Sequence, residues 1–204
     1  MIAIVDYGVG NLFSLCSSFK KIGAEAVVTA DKKVMDDAEK IILPGVGAFA
    51  DAAKKLVDTG MGEFVKEQAQ KGKYLMGICL GMQLLFEKSY EYGVHEGLGL
   101  LQGSVVPLKG DIAPHLKIPH IGWNGLRFTR PHFLFTHIKE GDCAYFVHSY
   151  HAVDCTDSVI ATAEYDKQIT AAVAKENVLG CQFHPEKSGE VGLKILQAFV
   201  EKKD

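Results

Sequence analysis

The sequence predicts an α/β fold: an open, mostly parallel twisted sheet with helices on both faces and an antiparallel extension in the second half. Three observations lead there. Up to Tyr90, short apolar runs alternate with segments of helical period, the pattern of parallel strands joined by right-handed crossovers. From Leu98 onward, strand-length segments follow one another with Gly and Pro punctuation, as in antiparallel pairs. Three of the early strands run into glycine-containing turns, the edge at which sites form in open α/β sheets.

Taken in order, Met1–Val5 is an apolar strand ending in Asp6-Tyr7-Gly8-Val9-Gly10-Asn11. A helix follows, with Leu12, Leu15, Phe19 and Ile22 at helical spacing, and Gly23 ends it. Gly8 and Gly10 are half of a dinucleotide fingerprint, but Phe13 occupies the third glycine position, which argues against a Rossmann phosphate site. Ala24–Thr29 is a second strand, Asp31–Ala38 a short polar helix or turn, and Lys40–Leu43 a third strand that runs into Pro44-Gly45-Val46-Gly47. Helical patterns at Ala48–Val57 and Met61–Gln70 precede a strand at Lys73–Ile78 and a helix beginning at Met82–Glu87. Leu98–Leu108, Ile118–Phe128, Ala144–Val153, Val159–Ala163, Ile169–Ala174 and Asn177–Phe183 read as strands. Val191–Val200 closes the chain as an amphipathic helix. No repeat or linker interrupts the pattern, so residues 1–204 are expected to form one domain.

Composition narrows the function. The chain of 204 residues is 48% hydrophobic and 23% charged, ordinary values for a soluble globular protein. A net charge of -3 offers no footprint for nucleic acid, and no apolar run reaches membrane-spanning length. Five widely spaced cysteines form neither a C-x-x-C pair nor a disulfide framework, which points to a reducing cytoplasm and no structural metal. No cofactor is expected.

The chemistry is concentrated in Lys73–Glu87, KYLMGICLGMQLLFE. A strand, a turn with Cys79 between Gly77 and Gly81, and a helix have the layout of a nucleophile elbow. The apex residue of such a turn is strained, and side chains beside it would collide with neighbouring elements. The thiol also meets the positive end of the helix dipole, where a thiolate is favoured. A free cysteine is more often an inert buried apolar residue, so Cys79 needs a base. His184 supplies one, at the end of another strand, with Pro185 and Glu186 after it. The residue before proline is extended, and in extended chain residues i and i+2 point the same way. Glu186 is thus expected to hold one imidazole nitrogen of His184 while the other faces the thiol.

Gly-Ile-Cys-Leu-Gly followed by Met-Gln, and His-Pro-Glu after Gly-Cys-Gln-Phe, resemble the two signatures of class I (triad-type) glutamine amidotransferases, and the resemblance runs over essentially the whole chain. It implies a flavodoxin-like glutaminase domain that hydrolyses glutamine to glutamate and ammonia, with Cys79 as nucleophile, His184 as general base and acid, and Glu186 as its orienter. Four further stretches resemble the glutaminase subunits of imidazole glycerol phosphate synthase: VDYGVGNL from Val5, LPGVGAF from Leu43, PHIGWN from Pro119 and YFVHSY from Tyr145. That resemblance implies a role in histidine biosynthesis and a partner, a (β/α)8-barrel cyclase subunit that receives the ammonia. The joint products would be imidazole glycerol phosphate and aminoimidazole carboxamide ribotide. The alternatives are another free-standing amidotransferase glutaminase, or a γ-glutamyl cysteine hydrolase on the same fold.

By the same resemblance, Gly47, Gln83, Glu91, Ser149 and Tyr150 bind glutamine. The backbone N–H groups of Val46 and Leu80 form the oxyanion hole, with the Gly45–Val46 peptide turned away in the resting subunit. Asn11, Trp123, Asn124, Tyr145 and Lys187 meet the cyclase. A sole tryptophan is more often core than interface, but the loop setting of Trp123 between Gly122 and Asn124, together with the resemblance, places it at the interface.

Overall fold

The computed structural model describes residues 1–203. In chain order the strands are β1 (Ile2–Val5), β2 (Ala26–Thr29), β3 (Lys40–Leu43), β4 (Tyr74–Ile78), β5 (Phe86–Ser89), β6 (His95–Glu96), β7 (Leu101–Pro107), β8 (His120–Phe128), β9 (Cys143–His148), β10 (Tyr150–Val153), β11 (Val159–Tyr165), β12 (Lys167–Lys175) and β13 (Val178–Cys181). The helices are α1 (Leu12–Lys21), α2 (Lys32–Asp37), α3 (Phe49–Asp58), α4 (Met61–Gln70), α5 (Leu80–Leu84) and α6 (Gly189–Glu201).

Among the described residues, nine strands form the main sheet in the order β2-β1-β3-β4-β13-β12-β11-β8-β9. The first five run parallel, and β12, β11, β8 and β9 continue the sheet antiparallel. β1, β3 and β13 are buried along their whole length, the mark of strands covered on both faces. Alternation along the strand splits them between two cores. Ile4 and Ile42 face α1 and α6 with Leu15, Phe19, Ile195 and Phe199. Ala3, Val5 and Ile41 face α3 and α4 with Phe49, Leu56, Met61 and Val65. Lys40 is the polar exception. Its ammonium donates to the Val200 and Lys202 carbonyls, which ties the negative end of α6 to the sheet.

The structure departs from the sequence reading after the elbow. α5 stops at Leu84, and Phe86–Ser89 is a strand rather than more helix. The reason is tertiary. Phe86 is fully buried, and the carbonyls that would have continued the helix are taken by another segment: Leu98 N–H donates to Leu84 and Leu100 N–H to Leu85. β5 then pairs with β7 and β6 in a second sheet, ordered β10-β7-β5-β6. The predicted strand Ala144–Val153 also divides. β9 stays in the main sheet beside β8, the chain turns at Ser149, and β10 crosses to pair with β7. This crossing carries Ser149 and Tyr150 over the ends of β4 and β13, where the site lies.

Candidate active site

Cys79 joins β4 to α5 with φ 54° and ψ -111°, a left-handed backbone that L-residues adopt at a cost. Two glycines make the turn possible. A Cβ on Gly77 would lie 2.6 Å from the Gly81 carbonyl oxygen, and one on Gly81 only 1.9 Å from that of Leu43. The Cys79 N–H donates to the Cys181 carbonyl at 2.8 Å, pinning the elbow to β13. The sulfur lies 4.0 Å from the Val147 carbonyl oxygen and 3.7 Å from Nε2 of Gln182.

His184 follows β13, its N–H donating to the Tyr145 carbonyl at 2.9 Å. Its Nδ1 lies 2.8 Å from Oε1 of Glu186, with both side chains almost wholly buried. The route differs from the one expected. His184 is extended, but Pro185–Lys187 is a turn of 3-10 helix, and that turn rather than an extended i, i+2 pair swings the carboxylate back onto the ring. With Nδ1 held, Nε2 is the nitrogen left to face the thiol, and both residues line the same cleft. Burial pushes the imidazole pKa down. The hydrogen bonds and negative charge of Cys79 and Glu186 outweigh that and raise it to about 9. Near neutral pH His184 is therefore an imidazolium beside the Cys79 sulfur, an acid placed to protonate a leaving nitrogen.

These residues open on a cleft of about 620 Å³. Val46, Gly47, Leu80, Gln83, Glu91, Ser149 and Tyr150 all line it, so the fold brings together every residue expected at the oxyanion hole or the glutamine. Gln83 is buried, and its amide donates to the Tyr150 carbonyl at 3.1 Å and to Oε1 of Gln182 at 2.9 Å. Glu91 is buried too and accepts the N–H of Phe49, the first residue of α3. The Tyr7 hydroxyl donates to the Pro44 carbonyl at 2.7 Å and steadies the loop that carries Val46. Burial and the charge of Cys79 together push its pKa up.

The residues expected at the partner surface are more scattered. Trp123 is 56% exposed and stands edge-on to Tyr145, its direct partner across β8 and β9, at 5.9 Å. Lys187 is exposed on the rim of the cleft. Asn11 is half-buried at the start of α1, and its carbonyl accepts the Leu15 N–H. The Asn124 side chain points inward to His120 and to the Glu164 carbonyl. Sequence reasoning missed Gln182, whose amide reaches Cys79 Sγ, and His148, which lines the cleft. Both signals were present, in the Gly-Cys-Gln-Phe and Val-His-Ser-Tyr stretches.

The profile of the class-I glutamine amidotransferases matches residues 3–203. The chain belongs to that family. Among curated relatives it is 51% identical over 203 residues to the imidazole glycerol phosphate synthase subunit HisH of Caldanaerobacter subterraneus subsp. tengcongensis, with 98% of each chain covered. The HisH subunit of Sulfurimonas denitrificans is 51% identical over 204 residues, again with 98% of each covered. That of Lactococcus lactis is 46% identical over 201 residues, with the same coverage. Among solved structures, a glutamine amidotransferase superposes with a TM-score of 0.77 at 19% identity, covering 98% of both chains. PurLQS from Thermotoga maritima superposes at 0.73 with 23% identity, covering 98% of this chain and 96% of that one. These two establish the flavodoxin-like amidotransferase fold.

Proposed function

We propose that this amidotransferase is the glutaminase subunit of imidazole glycerol phosphate synthase, with Cys79, His184 and Glu186 as its catalytic triad. The observation that carries the chemistry is the buried Glu186–His184 pair opening on the same cleft as Cys79 at the elbow. The near-full-length likeness to HisH subunits supports the choice of family member.

In this reading the Cys79 thiolate attacks the side-chain amide carbon of L-glutamine. The developing oxyanion is met by the N–H groups of Leu80 and Val46. His184 imidazolium gives its proton to the amide nitrogen, ammonia leaves, and a γ-glutamyl thioester remains. Neutral His184 then takes a proton from water, the hydroxide adds to the thioester, and glutamate departs as the thiolate–imidazolium pair is restored. Gly47, Gln83, Glu91, Ser149 and Tyr150 hold the amino acid.

The partner is a (β/α)8-barrel cyclase docked on the surface of Asn11, Trp123, Asn124, Tyr145 and Lys187, and ammonia passes to it without entering bulk water. The pair forms a heterodimer in the cytoplasm. The exposed Trp123, packed edge-on against Tyr145, supports this surface. Among the described residues no helix is long and apolar enough to cross a membrane. Release of glutamate from glutamine by the complex with a purified barrel cyclase tests the reading. Cys79→Ala is expected to abolish turnover and leave the fold intact, since the elbow is shaped by its glycines. Turnover that survives in the alanine variant would mean that another group is the nucleophile.

A further inference from the structure

Tyr7 follows β1, and its ring is buried with Leu43, Phe49 and Leu80 in the core on the α3 side of the sheet. Its hydroxyl donates to the Pro44 carbonyl at 2.7 Å. Among the described residues this is the only hydrogen bond made by the backbone of Pro44, Gly45, Val46 or Gly47. Packing fixes the same point. A Cβ on Gly10 would lie 2.9 Å from Cβ of Pro44, so the turn after Tyr7 is pressed against the proline ring. At its far end the loop enters α3, whose first N–H is taken by Glu91.

Anchors at Pro44 and Phe49 leave the peptides between them to turn. Holding the Pro44 carbonyl fixes the Pro44–Gly45 peptide plane, and with it the position of the Gly45 Cα. The Gly45–Val46 peptide then rotates through ψ of Gly45 and φ of Val46 without displacing the plane before it. Where the Val46 N–H points therefore depends on where that pivot stands. Pro44 and Gly45 are buried, while Val46 is exposed on the cleft, so the pivot lies inside the protein and the moving group at its surface. A buried carbonyl is costly to leave unpaired, so the loop keeps the Tyr7 contact rather than drift from it. Burial and the charge of Cys79 hold the proton on the phenol, which keeps the donor in place across the working pH range.

We infer that Tyr7 is a positioning residue for the oxyanion hole: through the Pro44 carbonyl it fixes the pivot from which the Val46 N–H is aimed at the reacting centre on Cys79. The inference rests on the glutaminase reading above, because it assigns Tyr7 to the same reaction.

Steady-state glutamine hydrolysis by the complex with a ligand-filled cyclase tests it. Tyr7→Phe keeps the buried ring and deletes the hydroxyl alone. Its kcat is expected to fall about tenfold, part of what a whole oxyanion donor is worth. KM for glutamine is expected to stay within about twofold, since the oxyanion forms only on the way to the transition state. L-Glutamate γ-semialdehyde is the second probe. The Cys79 thiolate adds to its aldehyde carbon, and the aldehyde oxygen takes the negative charge in the oxyanion hole. It is expected to bind the variant about tenfold more weakly, in step with kcat. In a Cys79→Ala background, Tyr7→Phe should leave glutamine affinity unchanged. An unchanged kcat, a KM that rises in parallel with the loss of kcat, or full semialdehyde affinity in the variant would overturn the positioning role. A wild-type complex that does not hydrolyse glutamine would instead remove the glutaminase reading. Carbon-13 and nitrogen-15 NMR of the unmodified complex provides a check independent of any variant. The Tyr7 ζ carbon should keep its resonance when the semialdehyde binds, while the Val46 amide nitrogen shifts. A Tyr7 resonance that moves to that of free tyrosine would overturn the fixed pivot.

Discussion

The Glu91 carboxylate accepts the N–H of Phe49 at 2.7 Å, reaching across the cleft wall to the first turn of α3. α3 has Ala48 at its cap position and no side-chain cap of its own, so a residue that lines the cleft closes a helix that lies far from it in sequence. Glu91→Ala is expected to cost about 1–2 kcal/mol of stability, as loss of a cap does, and to raise KM for glutamine. Urea unfolding and steady-state kinetics on one preparation check both. A rise in KM with no loss of stability would show that Phe49 finds water as an adequate partner.

The pH profile follows from His184. Its pKa in the folded protein, about 9, stands above the ordinary 6.5, so the imidazolium is fully present below 6.5 and disappears as pH rises through about 9. The acid that protonates leaving ammonia disappears with it. kcat/KM for glutamine in the complex is therefore expected to fall on an alkaline limb near pH 9. Glu186→Gln removes one of the raising influences and should move that limb to lower pH as well as slow turnover. An alkaline limb that stays in place in the variant would separate Glu186 from the titration of His184.

Trp123 should be a strong contributor to partner affinity. It is 56% exposed and packed on one side by Tyr145, and large exposed aromatics are characteristic interface anchors. Trp123→Ala is expected to weaken cyclase binding by about 2 kcal/mol or more, some thirtyfold in Kd. Unfolding of the isolated chain should be nearly unchanged. Titration calorimetry on the two subunits reads the first and thermal unfolding the second. Equal affinity for both proteins would place the docking surface elsewhere.

The oxyanion hole bears on regulation. A Cβ on Gly45 would lie 2.6 Å from the Gly81 nitrogen, so the Pro44–Gly47 loop is pressed against the start of α5, where only glycine allows the peptide to rotate. If the Gly45–Val46 peptide turns its N–H toward Cys79 only when the cyclase is bound with its ligand, the isolated chain lacks one donor. One such donor is worth about 10²–10³ in rate. Glutaminase activity is expected to rise at least that much on complex formation with a ligand-filled cyclase. Full-speed hydrolysis by the isolated chain would dismiss the switch. Gly45→Ala is expected to leave activity low in either state.

Much of this protein could be read along the chain because its signals are local. Apolar runs of four or five residues marked β1, β3 and β4 because parallel strands are buried on both faces. Gly77, Cys79 and Gly81 declared the elbow because a strained apex admits no side chains beside it. His-Pro-Glu announced the imidazole–carboxylate pair by residue type, although the 3-10 turn that joins them was not foreseen. Tertiary structure decided what depends on contacts between distant segments. Helix α5 is short because residues 98–101 claim the carbonyls after Leu84, a competition invisible in the helix's own good propensity. Ser149 and Tyr150 reach the cleft because the chain changes sheets, and a period-two pattern does not say which neighbour a strand will choose. Gln182 and His148 join the site only once β13 lies beside β4 and β9 lies beside β8, since hydrogen bonds between buried side chains belong to the packed state and to no stretch of sequence alone.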